Sequence, residues 1–468
     1  VRYLGIAFAV VLLAACGSRI DPAEVAASNG GAVPGAAQPG TGPGQAPGAG
    51  AGVGTAPATG STGRQPDPGV PPPAGEGPGQ APPAGGTHRA SCTGFRNQPG
   101  ITDDAITIAN AADVSGPVPG LFRAAQDAVR AYAAYFNASA DICGRKLEVL
   151  PLDTRTDAGA DQQAYETACS EAFAAVGSMG AFDSGGAATA QHCGLPDLRS
   201  GIVTHARLDC TTCFATQSAN PGQFPNAIPD YFLHRYADAA RHAAYLWINA
   251  GPAGENASTQ IAALRKRGVD VVYTASIDVS EFNYAPYVQE MRDHGVRWVE
   301  FLGADAQAVR LAQAMRQQGL APDVFLLDAT GYDESFVEGG GPDVDGASVF
   351  VNFTPFEERS SNPELALYLQ WLQQVRPGAQ PTYTGLFAWS AARLFTEQAI
   401  ALGGRLTRAT LVDRLAHVDG WTDHGLHAPQ HVGSKDVGGC WRFLRLEDGT
   451  WRPEGGTSYR CAGVTRVG

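Results

Sequence analysis

The spacing of hydrophobic and polar residues switches between two periods along most of the chain. From residue 101 onward, short apolar runs alternate with stretches whose apolar residues recur every three or four positions. The runs have the length of buried strands, and the wider spacing marks one face of a helix. Ile106-Thr107-Ile108-Ala109 reads as the first strand. The turn Ser115-Gly116-Pro117-Val118-Pro119-Gly120 leads into a helix over 121–137, where Leu121, Ala125, Val129, Tyr132 and Phe136 share a face. The pattern predicts a strand over 147–152, a second helix over 164–176, and strands over 201–204, 243–248, 269–274, 298–302, 324–327 and 347–351. Further helices are predicted over 305–318, with Asp305 as N-cap and Gly319 as the stop, and over 364–375, ahead of Pro377. Two more follow, over 385–402, ahead of Gly403-Gly404, and from the cap Thr407 to Ala416. Strand–helix alternation implies parallel sheets with helices on both faces, an α/β fold. The stretch is longer than one core usually supports, so two lobes are expected.

The first part of the chain follows neither period. Arg2 precedes an apolar run from Ile6 to Ala15, which closes as Leu13-Ala14-Ala15-Cys16. Positive charge, apolar core and small residues in that order make a secretory signal, here residues 1–15. The run falls well short of the roughly 20 residues of a membrane-spanning helix. Cysteine directly after the small residues resembles the lipobox of bacterial lipoproteins. That resemblance implies acylation of Cys16 and cleavage just before it. From Asp21 to Gly86 the sequence is dominated by Gly, Pro and Ala. No core can offset the entropy of ordering such a stretch, so residues 16–91 are expected to be a disordered tether. Its flexible-chain reach is roughly 45–60 Å.

Composition narrows the partners. The net charge of −13 removes the basic face that nucleic acid requires, and it disfavours electrostatic docking on an anionic membrane. Membrane attachment would then come from the lipid on Cys16. Of nine cysteines, eight remain once Cys16 is set aside, an even number suited to an oxidising compartment. Eight cysteines allow 105 pairings. Proximity favours Cys169–Cys193, Cys440–Cys461 and Cys210–Cys213, which leaves Cys92–Cys143. Cys440 and Cys461 flank a hairpin with its turn at Asp448-Gly449. Cys210-Thr211-Thr212-Cys213 has the spacing of a redox motif, but no thioredoxin-like unit surrounds it, and a structural loop staple is the better reading. A second C-x-x-C and ligand-spaced histidines are both missing, so no metal site is expected. No cofactor motif stands out either.

Several segments together resemble the type I periplasmic binding proteins, the branched-chain amino-acid (leucine-binding) class of ABC transporter substrate-binding proteins. The segments are Ile106-Thr107-Ile108 with Ser115-Gly116-Pro117; Tyr135-Phe136-Asn137 with Gly144-Arg145-Lys146-Leu147; Asp153; the stretch from Val176 to Cys193; Glu281-Phe282; and Gly403-Gly404-Arg405-Leu406-Thr407-Arg408. The resemblance implies two Rossmann-like lobes with parallel sheets, joined by a three-crossover hinge. Lobe 1 would comprise 101–238 plus 353–418, and lobe 2 would comprise 239–352 plus 419–468. Ligand would sit in the cleft at the carboxyl ends of the strands.

Candidate contacts follow from that placement. Asp183-Ser184-Gly185-Gly186 lies between an apolar strand and an Ala-rich helix. Its glycines could turn backbone N–H groups toward an oxygen acceptor, with Ser184 adding a hydroxyl. A plain turn is the alternative, and Asp183 would repel an anion held there. Thr204 and His205 end the next strand, Ser115 belongs to the first loop, and Phe122 could form an apolar wall or belong to the core. From the second lobe, Gly251, Asp305, Asp328 and Thr330 follow strands at the cleft-facing end. Amino-acid binders of the family pair the ligand ammonium with an acid that aligns with Ala329 here, one place after Asp328. In a strand, one residue reverses the face. Ser280-Glu281-Phe282-Asn283-Tyr284 either lines the cleft or begins a helix.

The expected function is capture of a small polar solute, such as an amino acid or amide, for an ABC permease and ATPase complex. The protein would act as a lipid-anchored, extracytoplasmic monomer. A lipid-tethered sensor for a membrane receptor is the alternative. An enzyme is disfavoured, because the chain has no G-x-S-x-G elbow, no H-E-x-x-H and no P-loop.

Overall fold

The computed structural model describes residues 91–217 and 220–467. The signal, Cys16 and nearly all of the expected tether lie outside the described residues. Among those described, no helix is long and apolar enough to cross a membrane.

The first sheet is parallel throughout and has the order β2-β1-β3-β4-β5. Its strands are β1 (Ala105–Ala112), β2 (Lys146–Asp153), β3 (Ala174–Val176), β4 (Asp197–Gly201) and β5 (Cys213–Gln217). Helices α1 (Arg123–Ser139), α2 (Ala158–Glu171), α3 (Ala187–His192) and α4 (His205–Asp209) connect them. The predicted helix over 164–176 therefore ends early, and its last residues form β3. The Ala-rich sequence carries no periodic break at that point. The stop comes from a distant residue: Arg408 donates to the carbonyls of Cys169 at 2.8 Å and Ala172 at 2.6 Å, capping the helix from outside. The strand predicted over 201–204 lies earlier, at 197–201, and the residues after it form the cleft-edge loop.

A short strand β6 (Gln223–Pro225) and helix α5 (Ala227–Arg235) lead to the second sheet. Its parallel strands are β7 (Ala243–Ile248), β8 (Val271–Ile277), β9 (Trp298–Leu302), β10 (Val324–Leu327) and β11 (Ser348–Val351). The intervening helices are α6 (Ala253–Arg267), α7 (Ala285–Asp293), α8 (Asp305–Gln317) and α9 (Glu334–Gly340). In α8 the N-cap is Ala304, and Asp305 is the first helical residue. Residues 280–284 form the approach to α7, with Phe282 73% exposed against solvent.

The chain then returns to the first sheet as α10 (Pro363–Val375), α11 (Tyr383–Leu402) and α12 (Arg408–Leu415). Trp389 of α11 is fully enclosed and meets Tyr132 of α1 edge to face at 5.0 Å. A third crossing delivers β12 (Cys440–Glu447) and β13 (Thr450–Glu454), which add antiparallel strands to the edge of the second sheet. Their turn is Asp448-Gly449, as the sequence predicts, and β14 (Arg460–Cys461) pairs back on Cys440. Finally β15 (Val464–Arg466) pairs with β6.

Helix α5 was expected in the first lobe. It packs on the second sheet instead, where Tyr231 stacks on Phe443 with ring centroids 4.1 Å apart. Large aromatic rings at 231 and 232 require an apolar floor, and β12 provides it. The opposite displacement holds for residues just after 418. Trp421 donates its indole N–H to Ser390 of α11 at 2.8 Å, so this segment stays with the first sheet.

All four disulfides follow the proximity pairing: Cys92–Cys143, Cys169–Cys193, Cys210–Cys213 and Cys440–Cys461. At the start of the described chain, the Ser91 carbonyl accepts from the Gly404 N–H at 2.8 Å. A Cβ at Gly404 would lie 2.0 Å from the Thr93 carbonyl oxygen, so only glycine allows this approach.

Candidate functional site

Strand ends from both sheets and the crossing segments line a half-open cavity of about 210 Å³. The first sheet contributes Met179 after β3, Ile202 and Val203 after β4, and Gln217 at the end of β5. The second contributes Asp328 and Ala329 after β10 and Phe350 of β11, with Asn256, Thr259 and Gln260 from α6. Gln223, Phe224, Ile228, Tyr383, Val437 and Trp441 close it on the hinge side. Parallel strands place their carboxyl ends here, the position where open α/β sheets hold ligands. Towards the cleft mouth the lobes touch. A Cβ on Gly251 would lie 3.2 Å from the Phe182 ring, and His205 Nε2 lies 3.2 Å from Glu255 Oε1.

The cleft-edge loops of the first sheet are already furnished with anions. Asp113 accepts from the Ala181 N–H and the Thr156 N–H, both at 2.8 Å, and from the Thr154 hydroxyl at 2.5 Å. Asp183 accepts from the Val203 N–H at 3.1 Å and from the Thr204 hydroxyl at 2.6 Å. The donors that a ligand carboxylate would seek at the ends of β3 and β4 are thus engaged within the chain.

Asp183 also belongs to a buried ionic cluster beneath the loop. Arg207 donates to Asp197 at 2.9 Å, to Asp161 at 2.8 Å and to the Asp183 carbonyl at 2.8 Å. Arg199 lies 3.6 Å from Asp183 and 3.5 Å from Asp197, and donates to the Tyr165 hydroxyl at 2.5 Å. Tyr165 donates onward to Asp197 at 2.8 Å. Arg199, Arg207, Asp183 and Asp197 are all fully enclosed. The glycines of Asp183-Ser184-Gly185-Gly186 serve this packing. A Cβ at Gly185 would stand 1.8 Å from the Ala158 carbonyl oxygen, and one at Gly186 would stand 2.3 Å from the Tyr165 ring. The Gly186 N–H, proposed for a ligand, donates to Asp161 at 2.7 Å.

Among the residues expected at the site, only Asp328 lines the cavity. Thr330 adjoins it, donating its N–H to Asp328 Oδ1 at 2.9 Å and its hydroxyl to the same oxygen. Ser184 is exposed away from the cavity. Thr204 caps α4 and holds Asp183. His205 and Gly251 lie at the interlobe seam. Ser115 bonds Asp153 at 2.6 Å in an exposed loop, Phe122 is core, and Asp305 accepts from the Ser335 hydroxyl. Ser184→Ala is accordingly expected to leave the affinity of any cleft ligand within about twofold, measured by calorimetric titration.

Sequence reasoning missed Tyr383, Gln260 and Glu300. Glu300 is the one charged residue in the apolar run Trp298-Val299-Glu300-Phe301-Leu302, and that interruption was the available signal. It pairs in register with Tyr245 of β7 and Leu326 of β10. Two residues beyond Leu326 on the same face stands Asp328. Both Glu300 carboxyl oxygens are buried, with the Trp298 indole N–H the one donor acting on them among the described residues. Burial, reinforced by the Asp328 charge, pushes the Glu300 carboxyl up to about 8. Burial also raises Asp328, against its two Thr330 bonds. Tyr383, facing Asp328 from the start of α11, is raised by burial and by that acid. Tyr245 donates to Gln260 Oε1 at 2.7 Å and so fixes the amide that lines the cavity.

Two other groupings have reactive composition but a structural setting. Ser390 Oγ lies 2.9 Å from His427 Nε2, and His427 Nδ1 lies 2.9 Å from the Ala428 carbonyl oxygen. This is the order of a nucleophile, a base and an orienting group. Both side chains are sealed from solvent, and burial lowers the His427 imidazole to about 4. Glu364, Asp423 and His424 offer atoms within 4.8 Å of one another. Arg393 already supplies the cation there, donating to Glu364 and standing 3.5 Å from Asp423.

The sequence matches the periplasmic binding protein family over residues 105–450. No curated protein matches it. Solved structures match the fold at low identity. A fatty acid ABC transporter substrate-binding protein from Thermomonospora curvata is 15% identical with a TM-score of 0.67, covering 79% of this chain and 95% of its own. A leucine-binding protein from Thermotoga maritima is 13% identical with a TM-score of 0.63, covering 75% and 98%. An ABC transporter solute-binding protein from R. palustris, in complex with 4-hydroxybenzoate, is 15% identical with a TM-score of 0.62, covering 78% and 98%.

Proposed function

The chain belongs to the periplasmic binding protein family, a family of binding proteins and not of enzymes, and on that premise we propose that it captures a small solute between its lobes for an ABC importer. The observation that carries the reading is the half-open cavity of about 210 Å³ at the carboxyl ends of strands from both sheets, bordered by the segments that cross between them. A ligand there touches both lobes only when they are together, so binding and closure are one equilibrium. Four disulfides fit the extracytoplasmic setting that the family implies. Acylation of Cys16 would hold the protein at the membrane.

Two measurements test this. A solute library spanning amino acids, amines, amides, carboxylates and sugars should contain a ligand that raises the melting temperature and lowers the radius of gyration in solution scattering. Failure of every class to do either would remove the solute-binding reading. Separately, Cys16→Ser should move the protein from the membrane fraction to the soluble fraction with ligand affinity unchanged. Continued membrane retention would remove the lipid anchor.

A further inference from the structure

We propose that the cavity takes a small amine, with its ammonium beside Asp328 and above Glu300 and with an apolar body about the size of a phenyl ring bearing a short chain, and that it rejects free carboxylates. This rests on the solute-binding reading and names its ligand class.

Size comes from the volume. A dry cavity of about 150 Å³ accommodates benzene. The 210 Å³ here leaves room for a few further atoms, and Ile202, Phe224, Ile228, Phe350 and Trp441 supply apolar walls.

Charge comes from what the walls hold. Among the described lining residues there is no Lys, Arg or His, and Asp328 is the single ionisable acid. Asp328 Oδ1 is engaged by Thr330, while Oδ2 has no hydrogen-bond partner among the described residues. Behind it lies Glu300, buried, with the Trp298 indole N–H acting on its carboxyl but no cation among the described residues to balance it. Among the described residues no cationic side chain acts on either carboxyl; the titratable groups around them are each other, Tyr245 and Tyr383. A buried acid without a counter-ion is costly, and a ligand cation relieves that cost.

Rejection of carboxylates comes from the lack of free donors at the first-sheet side of the cleft. The N–H groups of Ala181 and Val203 and the hydroxyl of Thr204 are occupied by Asp113 and Asp183. Of these three residues only Val203 reaches the cavity lining. An incoming carboxylate finds these donors taken, no cationic side chain among the described lining residues, and Asp328 in the cavity wall.

The experiment is calorimetric titration of the full-length protein with 2-phenylethylamine, phenylalanine, 3-phenylpropionate and phenylacetamide, beside the solute library above. The amine should bind roughly 10- to 100-fold more tightly than the other three, the range of one charge-assisted hydrogen bond. Asp328→Asn, which keeps the acceptor for Thr330, should weaken the amine by a similar factor and leave the amide within about twofold. An ammonium also favours ionised Glu300, so amine binding at pH 7 should release protons, seen as a buffer-dependent heat. Glu300→Gln should abolish that release. The same variant should be more stable than the parent, by more at pH 8 than at pH 5. The raised Glu300 carboxyl keeps its proton in the folded state while the unfolded chain ionises, so its penalty grows from its ordinary value near 4.5 to about 8. Tighter binding of an acid, an amino acid or a neutral solute, or unchanged amine affinity in Asp328→Asn, would overturn the amine class while leaving solute binding intact. A library in which nothing binds would overturn both.

Discussion

Arg199→Met is expected to lower the stability of the folded domain by about 3–5 kcal/mol, the cost of breaking a buried pair by removing one partner. The cluster beneath the cleft loops sets three carboxylates, Asp161, Asp183 and Asp197, against two guanidiniums. Removing Arg199 leaves a single cation among three acids, and water cannot reach them to compensate. Methionine fills much of the arginine stem's volume, so the loss reports on charge more than on packing. Urea denaturation measures it. The loss should be smaller at pH 5 than at pH 8. Burial already raises the Asp161 carboxyl, with Arg207 and Arg199 opposing the rise. With one opponent gone, the folded state holds a proton that the unfolded state gives up, so stability falls as pH rises. A loss below about 1 kcal/mol would mean the cluster is worth no more than an exposed ion pair.

Replacing Cys92 and Cys143 together by alanine should cost about 4 kcal/mol on the chain-entropy estimate. Their sequence separation of 51 is the longest of the four disulfides. The others separate 24, 21 and 3 residues. Removing each pair in turn should give losses in that order, with Cys210–Cys213 the least. Denaturation midpoints of the four double variants check the ranking, and a reversed order would place the stabilisation in native-state contacts instead of chain entropy.

The alternation of strands and helices was legible because each element announces itself locally. The predicted strands over 243–248, 298–302 and 324–327 match β7, β9 and β10 residue for residue. Thr407 caps α12 as its sequence implies, with its hydroxyl accepting from the Thr410 N–H. Elements stopped by distant partners were not legible: nothing near Ala172 signals that Arg408 will end α2. The candidate site failed for the same reason. Asp183-Ser184-Gly185-Gly186 has the composition of an anion loop, and Asp183 looked like a local contradiction. The contradiction was the better clue. Asp183 is held by Val203 and Thr204 and backed by Arg199, all about twenty residues away or fewer, yet joined only by folding of the parallel strands. Its glycines are required by Ala158 and Tyr165, which no local pattern reveals. Asp328 was found because a polar residue just past a strand end is a local feature. Glu300 was overlooked because the apolar period around it dominates.

The junction at the start of the described chain has a mechanical consequence. Ser91 is pinned to Gly404, and the next residue is covalently joined to Cys143, three residues ahead of β2. Tension arriving along the backbone from upstream would therefore pass through the sulfur bridge toward β2. Residues 93–142, which include β1 and α1, are shunted out of the load path. A tug on this end would strain the first sheet near one edge and leave the hinge and its cavity unloaded until that covalent link is reduced.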